Sequence, residues 1–180
     1  MIKTISHKKK YSNKWTTLYE DDIEFPNGYK GIYGYVERKD GSAAVIINDK
    51  NQVLIISQYR YPIKDFQLGI PGGAMEPDEN PEITLKREVK EETGLDVEII
   101  KLLGKFYSLS SCSTEQDYIY LCRATNELIV VIGKEDDEVV RDIQFVDFEE
   151  VIHMIDDGRI TDSASANAIQ IALRYLNTNK

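Results

Sequence analysis

Cysteine is scarce in this 180-residue chain: only Cys112 and Cys122 occur. A small disulfide-stapled scaffold carries several more, so both are expected to be free thiols. Histidine is equally scarce, with His7 and His153 alone, and no Cys/His spacing fits a zinc site. Any metal held here is therefore expected to sit among oxygen ligands. No stretch approaches the roughly 20 apolar residues that cross a bilayer, and the N-terminus lacks the apolar segment of a secretion signal. A cytoplasmic protein with no membrane partner is the expectation. Positive charge is in deficit too: 22 Lys and Arg against 31 Asp and Glu leave a formal charge of −9. That argues against a nucleic-acid partner, because phosphate backbones are held by clustered Lys and Arg. The short run His7-Lys8-Lys9-Lys10 reads as a solvated N-terminal tail. Internal repeats and low-complexity segments are missing as well.

What is present is enough apolar residue, 42%, to bury one core. Seven of the seventeen aromatic rings fall in the first 40 residues: Tyr11, Trp15, Tyr19, Phe25, Tyr29, Tyr33 and Tyr35. Their partial alternation with polar residues suits strands with aromatic faces, so residues 1–40 read as a strand-rich arm and 41–180 as the main domain. Residues 43–47 and 53–57 read as a hairpin of buried strands. A Gly/Pro-rich loop follows over 68–78, then a helix over about 81–93 and strands near 98–106 and 118–124. An acidic stretch, 135–138, precedes a strand at 143–148 and two helices, about 149–157 and 164–176. Strands and helices are mixed without regular β–α–β alternation, which points to an α+β fold.

The helix over 81–93 carries its own boundary signals. Asn80 is a good N-cap, Pro81 suits the first helical position, and Gly94 suits the left-handed position after the last turn. Within it, Glu88, Glu91 and Glu92 fall within an arc of roughly 100°. Like charges at that spacing destabilise an isolated helix and invite a compensating cation. A hard divalent ion such as Mg²⁺ takes one or two carboxylates, keeps several waters and binds substrate phosphates. An acidic pocket can then hold a polyanion.

The full segment, GAMEPDENPEITLKREVKEETGL over 73–95, resembles the Nudix box at every specified position: Gly73, Glu79, then Arg87 to Leu95. A chance match of these nine positions in a chain this size is on the order of 10⁻⁷ from average residue frequencies. The resemblance implies a Nudix-type α/β/α sandwich with a mixed sheet and a loop–helix–loop catalytic motif. It also implies hydrolysis of the pyrophosphate of a nucleoside diphosphate linked to another group. Glu88 and Glu92, with Glu91 and the carbonyl of Gly72, are the implied metal ligands. The implied ion is Mg²⁺, with Mn²⁺ as a substitute and two or more ions once substrate is bound. Arg87 and Glu79 are expected to brace the motif by ion pairing, and Gly73 and Gly94 to serve the backbone.

Beyond the box, residues 58–62 (QYRYP), 70–73 (IPGG) and 158–162 (GRITD) resemble the branch that hydrolyses ADP-ribose and nucleotide sugars. By that resemblance Arg60 contacts the substrate diphosphate or ribose, and the N-terminal arm forms a homodimer and adds to the substrate site. Trp15 or a nearby tyrosine is a candidate to stack on the nucleobase. One departure concerns substrate: where ADP-ribose hydrolases usually show a proline in the loop after the box, this chain has Ser110, with Ser111 at the place of a loop glycine. Nucleotide sugars such as GDP-mannose therefore stay open beside ADP-ribose, whose products would be AMP and ribose 5-phosphate. The same branch often supplies its general base from a loop before the penultimate strand, which selects Glu138 or Glu135. Glu138 is favoured for its nearness to that strand, with Glu91 or Glu115 next. An intact box argues against the other class considered, a sensor that binds ligand without turnover.

Overall fold

The computed structural model describes residues 1–127 and 139–179, and its chain divides into two compact units. The first joins Met1–Asp40 to Phe106–Asp117, and the second joins Gly41–Lys105 to Tyr118–Lys180.

The first unit is built on an antiparallel sheet of β1 (Lys3–Ser12), β2 (Thr16–Glu24) and β3 (Lys30–Arg38) in sequence order. The basic run expected to be a free tail lies inside β1. Its register sets His7 opposite Asp21 and Lys8 opposite Glu20. His7 Nδ1 lies 2.8 Å from Asp21 Oδ1, Lys8 Nζ 2.6 Å from Asp22 Oδ2, and Lys10 Nζ 2.8 Å from Glu20 Oε1. Opposite charges across a strand pair stabilise the ladder, and the acidic complement lies 10 or more residues further along the chain. On the same sheet His7 stacks on Tyr19 at 4.2 Å between ring centroids, and Tyr19 on Tyr35 at 5.5 Å. The segment after Phe106 is tied to β3: Val36 N–H donates to Cys112 O, Thr114 N–H to Val36 O, and Tyr33 OH to Ser111 O. Ser110 and Ser111, which replace the expected proline and glycine, thus lie in a segment held by main-chain bonds.

The second unit carries, among the described residues, a seven-stranded sheet. Its path runs β10 (Val140–Val146), β5 (Val53–Arg60), β4 (Gly41–Ile47), β9 (Gln116–Ala124), β8 (Val97–Tyr107). β4 and β5 form the expected hairpin, turning at Asn48 to Gln52, where Asn48 Oδ1 accepts from Lys50 and Gln52 N–H and Asn51 takes a φ of 57°. Both strands are buried along almost their whole length, so their alternation is apolar on both faces. Ala44, Ile46, Leu54 and Ile56 cluster with Leu85, Val89 and Leu95 around α1 (Pro81–Thr93). The intervening Val45, Ile47, Val53 and Ile55 are just as buried and, by the two-residue repeat of a strand, face the opposite side. α2 (Phe148–Asp156) and α3 (Ser163–Thr178) complete the chain, with α3 against β4.

Residues 68–78, expected to be a loop, contribute to two further strands. β6 (Asp65–Gly69) pairs with β5, and β7 (Gly72–Ala74) pairs with β4. Glycine and proline depress strand propensity, yet here main-chain pairing to buried neighbours decides. Gly72 is required at its place: a Cβ there would sit 2.5 Å from Ser42 O and 2.6 Å from the Ala43 Cα. No described helix is long and apolar enough to cross a membrane.

Candidate active site

α1 begins and ends where its capping residues dictate. Asn80 Oδ1 accepts from Glu82 and Ile83 N–H, both at 3.0 Å, and Gly94 closes the helix at φ 71°. Such an N-cap is worth about 0.5–2 kcal/mol. Leu85, Val89 and Glu92, spaced i, i+4, i+7, form the stripe that α1 buries. Glu92 is therefore a carboxylate on the core side of its helix, only 5% exposed. A buried carboxylate needs donors. Among those it has, Gly72 N–H reaches Oε2 at 2.9 Å and Gln58 Nε2 reaches Oε1 at 3.4 Å.

Glu88 and Glu91 lie one turn back and to the side. The Glu88 side chain is 13% exposed and packs against the Cα of Gly73; a Cβ on Gly73 would run into its carboxyl group. The box glycine is thus needed for close approach by Glu88 rather than for an unusual backbone angle. Glu91 is more open, at 37% for its side chain.

Arg87 ties the motif together. Its Nε and Nη2 grip Glu79 at 2.8 and 3.0 Å, Nη2 also reaches Ala74 O at 3.2 Å, and Nη1 donates to Glu88 and Glu91, each at 2.8 Å. Glu79 also accepts from Thr84 Oγ1 and from Glu76 N–H. The bonds from Arg87 first, then the one from Glu76 N–H, hold the Glu79 carboxyl at about 2, well below its usual 4.5. The Glu79 bond in turn holds Arg87 above its ordinary value. Because the folded-state value is the lower one, Glu79 contributes stability that is present above about 4.5 and is lost as the pH falls toward about 2. A Glu79→Gln variant should therefore melt below wild type at pH 7, and the two melting curves should converge as the pH approaches 2. Thermal melts followed by circular dichroism across that range test it; a constant gap would refute the linkage.

The donor set fits an oxygen-ligated ion. Glu88 and Glu92 present carboxylates and Gly72 a backbone carbonyl, and among the described residues no thiol or imidazole stands with them. The described residues hold no group of three or more His, Cys, Asp or Glu arranged to hold a metal ion by themselves. A hard divalent ion completes its shell with water and substrate oxygen.

Arg60 sits at the end of β5, on the same strand face as Gln58. With Gln58, Gln67, Asp162 and Ser165 it lines a polar slot of about 10 Å³. The Gly158 to Asp162 segment explains itself structurally: Asp162 caps α3, accepting from Ser165 N–H, while Ser165 Oγ accepts from Ile70 N–H. Gln58 was missed as a site residue; only its place in the QYRYP stretch marks it in the sequence. Trp15 lies in the turn between β1 and β2, 59% exposed, with Lys14 Nζ 4.0 Å from its ring centre. Glu115 pairs with Arg38 at 2.9 Å, and burial raises its carboxyl against that pairing. Glu135 and Glu138 lie outside the described residues. Both cysteines are free, and burial pushes the Cys122 thiol up to about 12, leaving it inert at neutral pH.

A glycine-cradled glutamate, a second glutamate buried one turn on, and an arginine bracing the first to an upstream loop define the loop–helix–loop of a pyrophosphate-cleaving enzyme. The NUDIX domain model matches residues 37–165, and a model described as the Nucleoside diphosphate sugar hydrolase N-terminal domain matches residues 2–36. This chain belongs to the Nudix family and is a Nudix hydrolase of the ADP-ribose and nucleotide-sugar type. Among its relatives is a methanol dehydrogenase activator of Bacillus methanolicus, 30% identical, covering 93% of this chain and 90% of its own. An ADP-ribose pyrophosphatase of Bacillus subtilis is 28% identical over the same shares. A GDP-mannose pyrophosphatase of Yersinia enterocolitica is 30% identical over 89% of this chain and 90% of its own. The crystal structure of an ADP compounds hydrolase superposes with a TM-score of 0.83 at 18% identity, covering 99% of this chain and 95% of that one. The expected α+β fold, a mixed sheet with helices, stands.

Proposed function

We propose that the protein is a Mg²⁺-dependent pyrophosphatase acting on a nucleoside diphosphate joined to a second group, with ADP-ribose as substrate and AMP and ribose 5-phosphate as products. The observation that carries this reading is the pair Glu88 and Glu92, one seated on Gly73 and the other buried and held by Gly72 N–H and the Gln58 amide. Glu88 and Glu92 would hold the ions, with Glu91 and the Gly72 carbonyl completing the protein's share; Mn²⁺ substitutes, and two or more ions are expected with substrate bound. When bound, Mg²⁺ neutralises charge on the phosphate oxygens and lowers the basicity needed to activate water. Glu138, or Glu135 in its place, takes the proton from the attacking water. Arg60 holds the diphosphate or ribose, and Trp15 stacks on the base. The reaction is placed in the cytoplasm.

A nucleotide sugar such as GDP-mannose is the second reading, favoured by Ser110 at the place of the proline usual in ADP-ribose hydrolases and by the Yersinia relative. Hydrolysis of ADP-ribose, GDP-mannose, ADP-glucose, diadenosine polyphosphates and dNTPs with Mg²⁺ decides between them. Preference for ADP-ribose supports the first reading, preference for a nucleotide sugar the second, and no hydrolysis of any would overturn both in favour of a binding protein.

The arm of residues 1–40 is proposed to form a homodimer. Tyr11, Trp15, Leu18, Tyr29, Ile32 and Tyr33 are exposed on or between its strands, an apolar load hard to leave in water. Sedimentation should give a dimer, and truncation before Ile32 should cost both assembly and activity. A 20.6 kDa species at micromolar concentration would refute it.

A further inference from the structure

Gln58 lies on β5, a strand buried from Val53 to Gln58, and is itself only 3% exposed. Its amide is divided between two surroundings. Nε2 donates to Glu92 Oε1 at 3.4 Å, whereas Oε1 is buried and meets no hydrogen-bond donor among the described residues. The amide cannot simply be turned over, because Oε1 would then face a carboxylate oxygen. Its orientation is fixed by Glu92. An amide on a strand otherwise buried and apolar from Val53 to Ile56 calls for a reason beyond burial.

Its chemistry at Glu92 supplies one. Gly72 N–H fixes one carboxylate oxygen and Gln58 Nε2 the other. Both donors are uncharged, so they orient the group without themselves placing a positive charge beside it. Glu88 and Glu91 each accept from Arg87. A second link runs from Gln58 to the edge strand: it faces Gln67 in the β5–β6 register, and Gln67 Nε2 donates to Thr161 Oγ1 at 3.2 Å.

We infer that Gln58 is a positioning residue: its amide aims the Glu92 carboxylate for metal binding without neutralising it. The inference rests on the reading of Glu92 as a metal ligand. Outer partners of this kind typically change metal affinity by about 10–100-fold when lost. The test measures Mn²⁺ binding by electron paramagnetic resonance, with melting of the metal-free protein, in wild type, Gln58→Leu, Gln58→Met and Glu92→Gln. Gln58→Leu should bind Mn²⁺ about 10–100-fold more weakly, a loss larger than any fall in metal-free stability from removing one donor to Glu92. Gln58→Met, unbranched like glutamine, serves if the leucine variant fails to fold. Affinity within about threefold of wild type in the folded Gln58 variant, with Glu92→Gln weakened, would overturn the inference and leave the metal site standing. Unchanged binding in Glu92→Gln as well would overturn both. A fall in metal-free stability that matches the lost affinity would mark a merely structural role and also overturn it.

Discussion

Glu92→Gln is expected to lower turnover by about 10²–10⁴-fold while the protein stays folded. The estimate follows from losing several kcal/mol of charge stabilisation, at about 1.4 kcal/mol per tenfold in rate. The substitution keeps the shape of the side chain, and Gly72 N–H can still donate to its remaining carbonyl oxygen. What disappears is a negative charge at a buried position beside the Glu88 cradle. Glu88→Gln should follow closely, with an added effect, because Arg87 Nη1 loses a charged acceptor and is left chiefly to Glu91. Steady-state rates at saturating Mg²⁺, together with circular dichroism, check both; near-normal turnover in Glu92→Gln would remove it from the metal site.

The second large effect is expected at the proton acceptor. Glu138→Gln should lower kcat by about 10²–10⁴-fold, the usual contribution of a general base, with substrate binding little changed and the ion still bound. A split between kcat and KM separates this from loss of a metal ligand, which weakens ion binding as well. Should Glu135→Gln and Glu138→Gln both turn over within about threefold of wild type, below the range for a lost base, the base is one of Glu91 and Glu115. The two differ in setting: Glu91 is on α1 and bonded to Arg87, whereas Glu115 is raised by burial and paired with Arg38. Glu115→Gln measured beside Glu91→Gln would tell them apart.

How far the sequence reached depended on how local each cause was. α1 runs from Pro81 to Thr93, as its signals require, since Asn80, Pro81 and Gly94 act within a few residues of the ends they set. The β4–β5 hairpin was legible for the same reason: two apolar runs and a short polar turn lie adjacent in the chain. Residues 65–74 were not, because glycine and proline hid strands that exist only by pairing with β5 and β4. The basic run in β1 was misread as a tail because its acidic partners are on another strand.

The site divides along the same line. Nine positions over 73–95, by themselves, determined that this chain carries a Nudix box, that Glu88, Glu91 and Glu92 share a helix face, and that Arg87 can reach back to Glu79. Helical periodicity and one short loop are enough for that. Only the tertiary structure decided that the three glutamates are unequal. Glu92 is on the buried stripe with Leu85 and Val89, Glu88 rests on the bare Cα of Gly73, and Glu91 stays toward solvent beside Arg87. It alone brought Gln58, 34 residues away in sequence, to the Glu92 carboxylate. The spacing of residues along one helix is a property of the chain, but the cost of burying a charge, and the donors that offset it, depend on which strands pack beside that helix.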